Sequence, residues 1–227
     1  MNNVTCIQFQ NQVNKFHKAL RTWGEDHIKF YPWRYLNDTY AILVSEMMLH
    51  RTNKSQVEKV FNEFMKEYPT LVTFISADHD EVKKILNPLG LNWRIDGIIE
   101  TLNSLWMEYQ EVPSDKSKLI REKNVGDYIA GATETFAEDT PNALVDTNTV
   151  RVIGRMFGLN LEGEARRRKE TIDTICSVCD AASPRDYYYT LIDFAHEVCT
   201  AKNPKCIECP LGDVPCDYYM KELVGGV

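Results

Sequence analysis

Residues 120–155 read IREKNVGDYIAGATETFAEDTPNALVDTNTVRVIGR, and the punctuation of this stretch decides the fold. A polar turn holding Asn124 and Gly126 interrupts a helical pattern, and the small residues Ala130, Gly131 and Ala132 then let another element pack closely. The pattern predicts a helix, a tight hairpin and a second helix. After Pro141 a short apolar strip, residues 143–145, delivers Asp146 to the start of a further helix carrying Arg151 and Arg155. A carboxylate beside a backbone-binding turn suits chemistry on a nucleic acid.

Upstream, Phe9, Val13, Phe16, Leu20 and Trp23 recur at helical spacing and predict an amphipathic first helix ending at Gly24. The turn-like Tyr31-Pro32-Trp33-Arg34 follows. Asp38 or Thr39 is placed to cap an apolar helix over residues 40–49, in which Glu46 is the one charge. Further helices are expected over 56–68, 72–76, 80–86, 95–109, 117–122, 128–138, 149–157, 164–178 and 185–198. Strand alternation is hard to find, and the short Gly, Pro and Asn punctuations fit an all-helical (all-α) protein with brief connections. The sequence has no internal repeat or low-complexity tract.

The 227 residues, 44% hydrophobic, suffice for a packed core in one large or two small domains. No apolar run approaches the roughly 20 residues of a membrane span. The first residues, MNNVTCIQFQNQVNK, carry no apolar signal core, so a cytoplasmic, monomeric protein is expected. The net charge of -7 argues at first against nucleic acid, because phosphate binding rests on Lys and Arg. The distribution reverses that. Residues 1–60 carry eight basic and five acidic side chains, and residues 140–170 carry six and four, so the basic surplus lies where the site is expected.

Cys199, Cys206, Cys209 and Cys216 are separated by six, two and six residues, with Pro204, Pro210 and Pro215 stiffening the loops. In a reducing compartment such crowding points to metal rather than disulfides. Four thiolates here can enclose a [4Fe-4S] cluster or a tetrahedral zinc. Zinc sites more often use two short-spaced pairs, and here only the middle pair is close, which favours iron and sulfur. Cys176 and Cys179 fall inside a helical pattern and read as ordinary half-buried thiols.

With these residues assembled, the chain resembles the helix-hairpin-helix DNA glycosylases of the endonuclease III superfamily over nearly its whole length. The likeness is carried by Tyr31-Pro32-Trp33-Arg34, by Ser45-Glu46-Met47-Met48-Leu49-His50-Arg51-Thr52, by Leu89-Gly90-Leu91 before Trp93-Arg94, by Val125-Gly126-Asp127-Tyr128-Ile129-Ala130-Gly131-Ala132, by Val145-Asp146-Thr147-Asn148-Thr149-Val150-Arg151-Val152, and by the four terminal cysteines. Each motif alone is weak, whereas their number, order and spacing together are specific. The first two look most like the thymine-guanine mismatch glycosylases, with the adenine glycosylases next. With 11 residues after Cys216, the extra carboxy-terminal domain of the adenine enzymes is not expected. Two positions depart from the family pattern. Glu122-Lys123-Asn124-Val125-Gly126 stands where Leu-Pro-Gly-Val-Gly is usual, and Asn124 is expected to tolerate the left-handed backbone of that turn. The last two cysteines are one residue further apart than usual.

The resemblance implies a six-helix barrel-like lobe over 25–140 holding the hairpin, and an iron-sulfur lobe from 1–24 plus 141–227, with double-stranded DNA bound across the cleft between them. It implies Asp146 as the carboxylate that stabilises an oxocarbenium-like sugar, although the bare sequence reads it first as a helix cap. Glu46 is the second carboxylate, whose desolvation favours the protonated form that a general acid needs. Tyr128 stands where bifunctional relatives carry a Schiff-base lysine, which implies a monofunctional enzyme. His50 and Arg51 match positions that fill the vacated base stack, Trp33 is expected to line the base pocket, and Val125 and Gly126 are expected to hold phosphate through backbone amides. Arg151, Lys202 and Lys205 complete the expected DNA contacts. Thymine or uracil opposite guanine is the favoured target. A bulky modified cytosine in phage DNA, adenine, and a non-catalytic DNA-binding module are the alternatives.

Overall fold

The computed structural model describes residues 3–221, with side chains from Cys6 onward, and every regular element among them is helical. In chain order the α-helices are α1 (Asn3–His27), α2 (Thr39–Leu49), α3 (Lys54–Glu67), α4 (Leu71–Ile75), α5 (His79–Leu86), α6 (Asn92–Tyr109), α7 (Lys116–Leu119), α8 (Asp127–Glu138), α9 (Thr147–Phe157), α10 (Lys169–Val178), α11 (Pro184–Glu197) and α12 (Asp217–Tyr219). None is long and apolar enough to cross a membrane. The chain divides into two compact units, one of residues 30–140 and the other of residues up to Lys29 together with those from Pro141 on. Of the second unit, the expected stretch 222–227 lies outside the described residues.

The unit of residues 30–140 holds α2 to α8, one helix more than the six expected, because α4 and α7 are single short turns. Its centre is α2, whose residues 40–48 are all buried. A helix enclosed on every side has no polar face to spare, and this explains its near-continuous apolar sequence. Around it, α3 turns Val57, Val60, Phe61 and Phe64 inward at helical spacing. Each such side chain contributes about 1.5–3 kcal/mol relative to exposure. The starts of these helices are fixed by short polar side chains. Asp38 accepts the Ala41 amide at 2.8 Å, Asn53 accepts that of Gln56 at 2.8 Å, and Thr70 and Thr73 form a reciprocal capping box.

In the other unit α1 packs on α11, and α9 packs on α10, α11 and α12. Val13, Phe16, Leu20 and Trp23 form the buried stripe of α1, as their spacing predicts. The expected end at Gly24 is wrong, and α1 continues to His27. Gly24 is a point of close approach: a Cβ there would stand 2.7 Å from Thr190 Cγ2 on α11. The expected helix 164–178 is also broken, into a short 3-10 turn, Ala165–Arg167, and α10. The Arg168 guanidinium bonds the Asn160 carbonyl at 2.8 Å and that of Glu162 at 2.5 Å, which holds the chain in a loop where the helix would have run on.

Candidate active site

Asp146 is the N-cap of α9, half-buried, with extended backbone. Its Oδ1 accepts the Thr149 amide at 2.7 Å, the cap that residue type predicts, and its Oδ2 accepts Asn148 Nδ2 at 2.8 Å. Two donors therefore hold the carboxylate in one orientation. The strand-like approach to it is pinned as well. The buried Tyr188 hydroxyl donates to the Asn142 carbonyl at 2.6 Å and accepts the Leu144 amide at 3.2 Å. Burial, above all, holds that phenol far above its ordinary range, so it stays protonated.

Behind Asp146 lies a connection that the sequence did not reveal. Asn148 Oδ1 accepts Arg151 Nη2 at 3.2 Å, and Arg151 in turn donates Nε to the Cys199 carbonyl at 2.8 Å and Nη2 to that of Ala195 at 2.9 Å. Arg151, expected among the DNA contacts, is half-buried and turned onto the protein backbone. Arg155, one turn on, donates to Cys199 Sγ at 3.5 Å and to the Thr200 carbonyl at 2.7 Å, and stacks over Tyr218 at 4.8 Å. A continuous hydrogen-bonded path joins the cysteine loop to the Asp146 carboxylate.

In the other unit the hairpin forms, but by different means from those expected. Asn124 has no positive φ. Its side chain instead donates to the Gly97 carbonyl at 3.4 Å and to Glu100 at 3.2 Å, docking the turn on α6 where a Cβ on Gly97 would meet Asn124 Cγ at 3.2 Å. Val125 is buried and its amide donates to the Glu122 carbonyl at 3.1 Å, so it is not a phosphate donor. Gly126 is the exposed N-cap of α8 and offers no side chain to its first-turn amides. Asp127 beside it is neutralised by Lys116 at 2.9 Å, which removes a charge that would repel phosphate. Tyr128, the second residue of α8, is half-buried.

Glu46 is 6% exposed in the midst of α2, a carboxyl desolvated by its own helix and those around it. His50, at the C-cap of α2, and Arg51 are both exposed. The imidazole is held below its ordinary range, first by partial burial and then by the charges of Arg51 and Arg94. Trp33, expected to line the base pocket, is a core residue, 2% exposed. Pro32 starts a 3-10 turn that drives Trp33 inward beneath the half-buried Tyr31, the two rings stacked 4.9 Å apart.

Cys199, Cys206, Cys209 and Cys216 all line one cavity of about 270 Å³. Burial, above all, pushes the thiols of Cys206, Cys209 and Cys216 up, and the neighbouring cysteines push in the same direction. Clustered sulfurs that resist ionisation alone are a donor set fitted to a multiply charged cation, which would draw their protons off. Among the described residues no three His, Cys, Asp or Glu side chains gather tightly enough to hold a metal ion. Lys202 and Lys205 are exposed in the same loop.

Residues 44–176 match the HhH-GPD superfamily base excision DNA repair proteins, and residues 199–214 match the iron-sulfur binding domain of endonuclease III, a span ending just short of Cys216. The chain is 35% identical over 207 residues to a thymine-DNA glycosylase of Aeropyrum pernix, covering 88% of this chain and 90% of that one. It is 33% identical over 226 residues to a thymine/uracil-DNA glycosylase of Pyrobaculum aerophilum, covering 96% and 94%. The solved structure of a thermostable thymine-DNA glycosylase superposes with a TM-score of 0.86 at 27% identity, over 94% of this chain and 99% of its own.

Proposed function

Because the chain belongs to the HhH-GPD superfamily of base excision DNA repair proteins, we propose that it is a monofunctional DNA glycosylase that removes thymine or uracil opposite guanine. Breaking the N-glycosidic bond leaves positive charge on the sugar and negative charge on the departing base. Asp146 stabilises the sugar and helps position the attacking water. The observation that carries this reading is its geometry: a half-buried carboxylate, held by Thr149 and Asn148 in one orientation. A fixed charge of this kind acts without reorganisation at the moment of reaction.

Glu46 is assigned to the base side, where its buried setting suits a proton donor. Tyr128 offers no amine, so no Schiff base forms and the abasic strand is released intact. Extruding the base costs a few kcal/mol of stacking and pairing, least at a mismatch, and His50 and Arg51 occupy the gap. The first-turn amides of α8 after Gly126, with Lys202 and Lys205, hold phosphates without reading sequence.

Cys199, Cys206, Cys209 and Cys216 hold an iron-sulfur cluster, and we propose the [4Fe-4S] form. Supporting it, the four thiols line one cavity of about 270 Å³, and only the middle pair is closely spaced in sequence. A cluster held there would crosslink the loop, since hydrolysis transfers no electrons. Arg151 and Arg155 fasten that loop to α9, the helix that Asp146 caps.

The decisive comparison is Asp146→Asn against the native chain on duplexes holding a single G·T or G·U pair. Base release should fall about 10²–10³-fold while DNA affinity is kept. An unchanged rate would refute the assignment. A panel of oxidised, deaminated and glucosylated bases on the same duplex identifies the target.

A further inference from the structure

Arg51 and Leu91 are non-glycine residues with left-handed backbones, at φ 62° and 60°. Such conformations persist only where the surroundings over-determine them. They stand on two connections, residues 50–53 after α2 and residues 87–91 before α6, the latter beginning with the 3-10 turn Asn87–Leu89. One side chain binds both loops. Arg94, 3% exposed, donates Nη1 to the Met48 carbonyl at 3.4 Å, to the His50 carbonyl and to Thr52 Oγ1 at 2.6 Å. Its Nη2 donates to the Leu89 carbonyl at 2.6 Å and to that of Gly90 at 3.2 Å.

None of these five acceptors is a carboxylate, so a buried cation is held by main-chain and hydroxyl oxygens alone. Desolvating a guanidinium is unfavourable unless its donors are satisfied; both terminal nitrogens of Arg94 find acceptors while its buried Nε has none, and only a planar fork reaches acceptors on two sides at once. The two loops expose His50, Arg51 and Leu91 at 45%, and the first turn of α6 exposes Trp93 at 53%, with the His50 ring edge-on to Trp93 at 5.9 Å. Cations and apolar rings held at one spacing match a duplex with a base missing from its stack, which offers phosphates outside and bare base faces within.

We infer that Arg94 is a positioning residue that locks the two loops into a single edge for opening the duplex. The inference rests on the glycosylase reading but concerns a step before bond cleavage. Arg94 itself is buried and acts through the residues above it.

The test compares single-turnover base release by the whole chain on two duplexes of one sequence. In one, uracil is paired with guanine. In the other it faces an abasic-site analogue, where pairing is already lost. Arg94→Lys, verified as folded by circular dichroism, should lose about tenfold or more on the paired duplex and keep most of its rate on the pre-opened one. The fluorescence rise of a 2-aminopurine next to the target should fall in parallel. Equal losses on both duplexes, or none on either, would overturn the proposal.

Should Arg94→Lys not fold, Thr52→Val removes one acceptor and leaves the guanidinium in place. It should give a smaller loss confined to the paired duplex, and a loss shared by both duplexes counts against the proposal. A native chain that releases no base from either duplex contradicts the glycosylase reading instead. The 2-aminopurine signal of native and variant chains would then still decide whether Arg94 governs opening.

Discussion

Two loop systems in this molecule are fastened by arginines onto main-chain carbonyls, and they differ in redundancy. The cysteine loop is held by two guanidinia from adjacent turns of α9, Arg151 and Arg155, which share the carbonyls of residues 195–201. The loops after α2 and before α6 share one guanidinium, Arg94, which serves five acceptors, while Gln56 of α3 bonds only the second of them, at the Pro88 carbonyl. The first arrangement spreads its load and continues through Asn148 to a carboxylate. The second concentrates it beneath exposed side chains and two left-handed residues. A redundant clamp suits a part that must stay put, whereas a single bolt lets one residue set the spacing of two loops.

Paired substitutions put that contrast at risk. Arg94→Met leaves several buried carbonyls unpaired and should lower the unfolding free energy by about 3 kcal/mol. Arg151→Met, with Arg155 still in place, should cost only about 1–2 kcal/mol. Urea denaturation at matched m-values measures both, and equal losses would break the comparison. Asn148→Ala removes one of the two donors to Asp146 and the link to Arg151, so base release should slow by about 10–100-fold with little change in stability or DNA affinity. A stability loss without a rate loss would show that the path is only scaffolding.

The smallest effect is at the tip of the single-bolt region. His50 is held below its ordinary 6.5 by partial burial and then by Arg51 and Arg94, so the fold favours neutral imidazole. Any stability from this preference is present above pH 6.5 and is lost as the pH falls through and below that value. The ring should titrate below 6.5 by NMR, and Arg51→Gln should move it upward. A titration at or above 6.5 would mean that the two cations do not bear on it.

The helices were legible because their signals are local. Buried spacing along α1 and α3, and the caps at Asp38, Asn53 and Asp146, lie within a few residues of what they determine. What was misread depends on distant partners. Gly24 reads as a stop but is a contact with Thr190, and Asn124 reads as a left-handed turn residue but docks on Gly97. The bonds of Arg151 to the Cys199 and Ala195 carbonyls and of Arg94 to the His50 carbonyl were not legible, because main-chain acceptors more than 40 positions away leave no side-chain signature. Trp33 reads as a pocket residue, since an aromatic in a Pro-Trp-Arg turn carries no mark of which way the turn points. The cap at Asp146 was legible because a short carboxylate just before a helical run is a local signal.

The most direct test of the central claim is the product of the reaction on a G·T or G·U duplex. The native chain should release free thymine or uracil and leave an unbroken strand that alkali then cuts at one position, with no protein–DNA adduct trapped by borohydride. A duplex that is bound but keeps its base would contradict the glycosylase assignment, and a trapped adduct with spontaneous strand scission would contradict the absence of a lyase step at Tyr128.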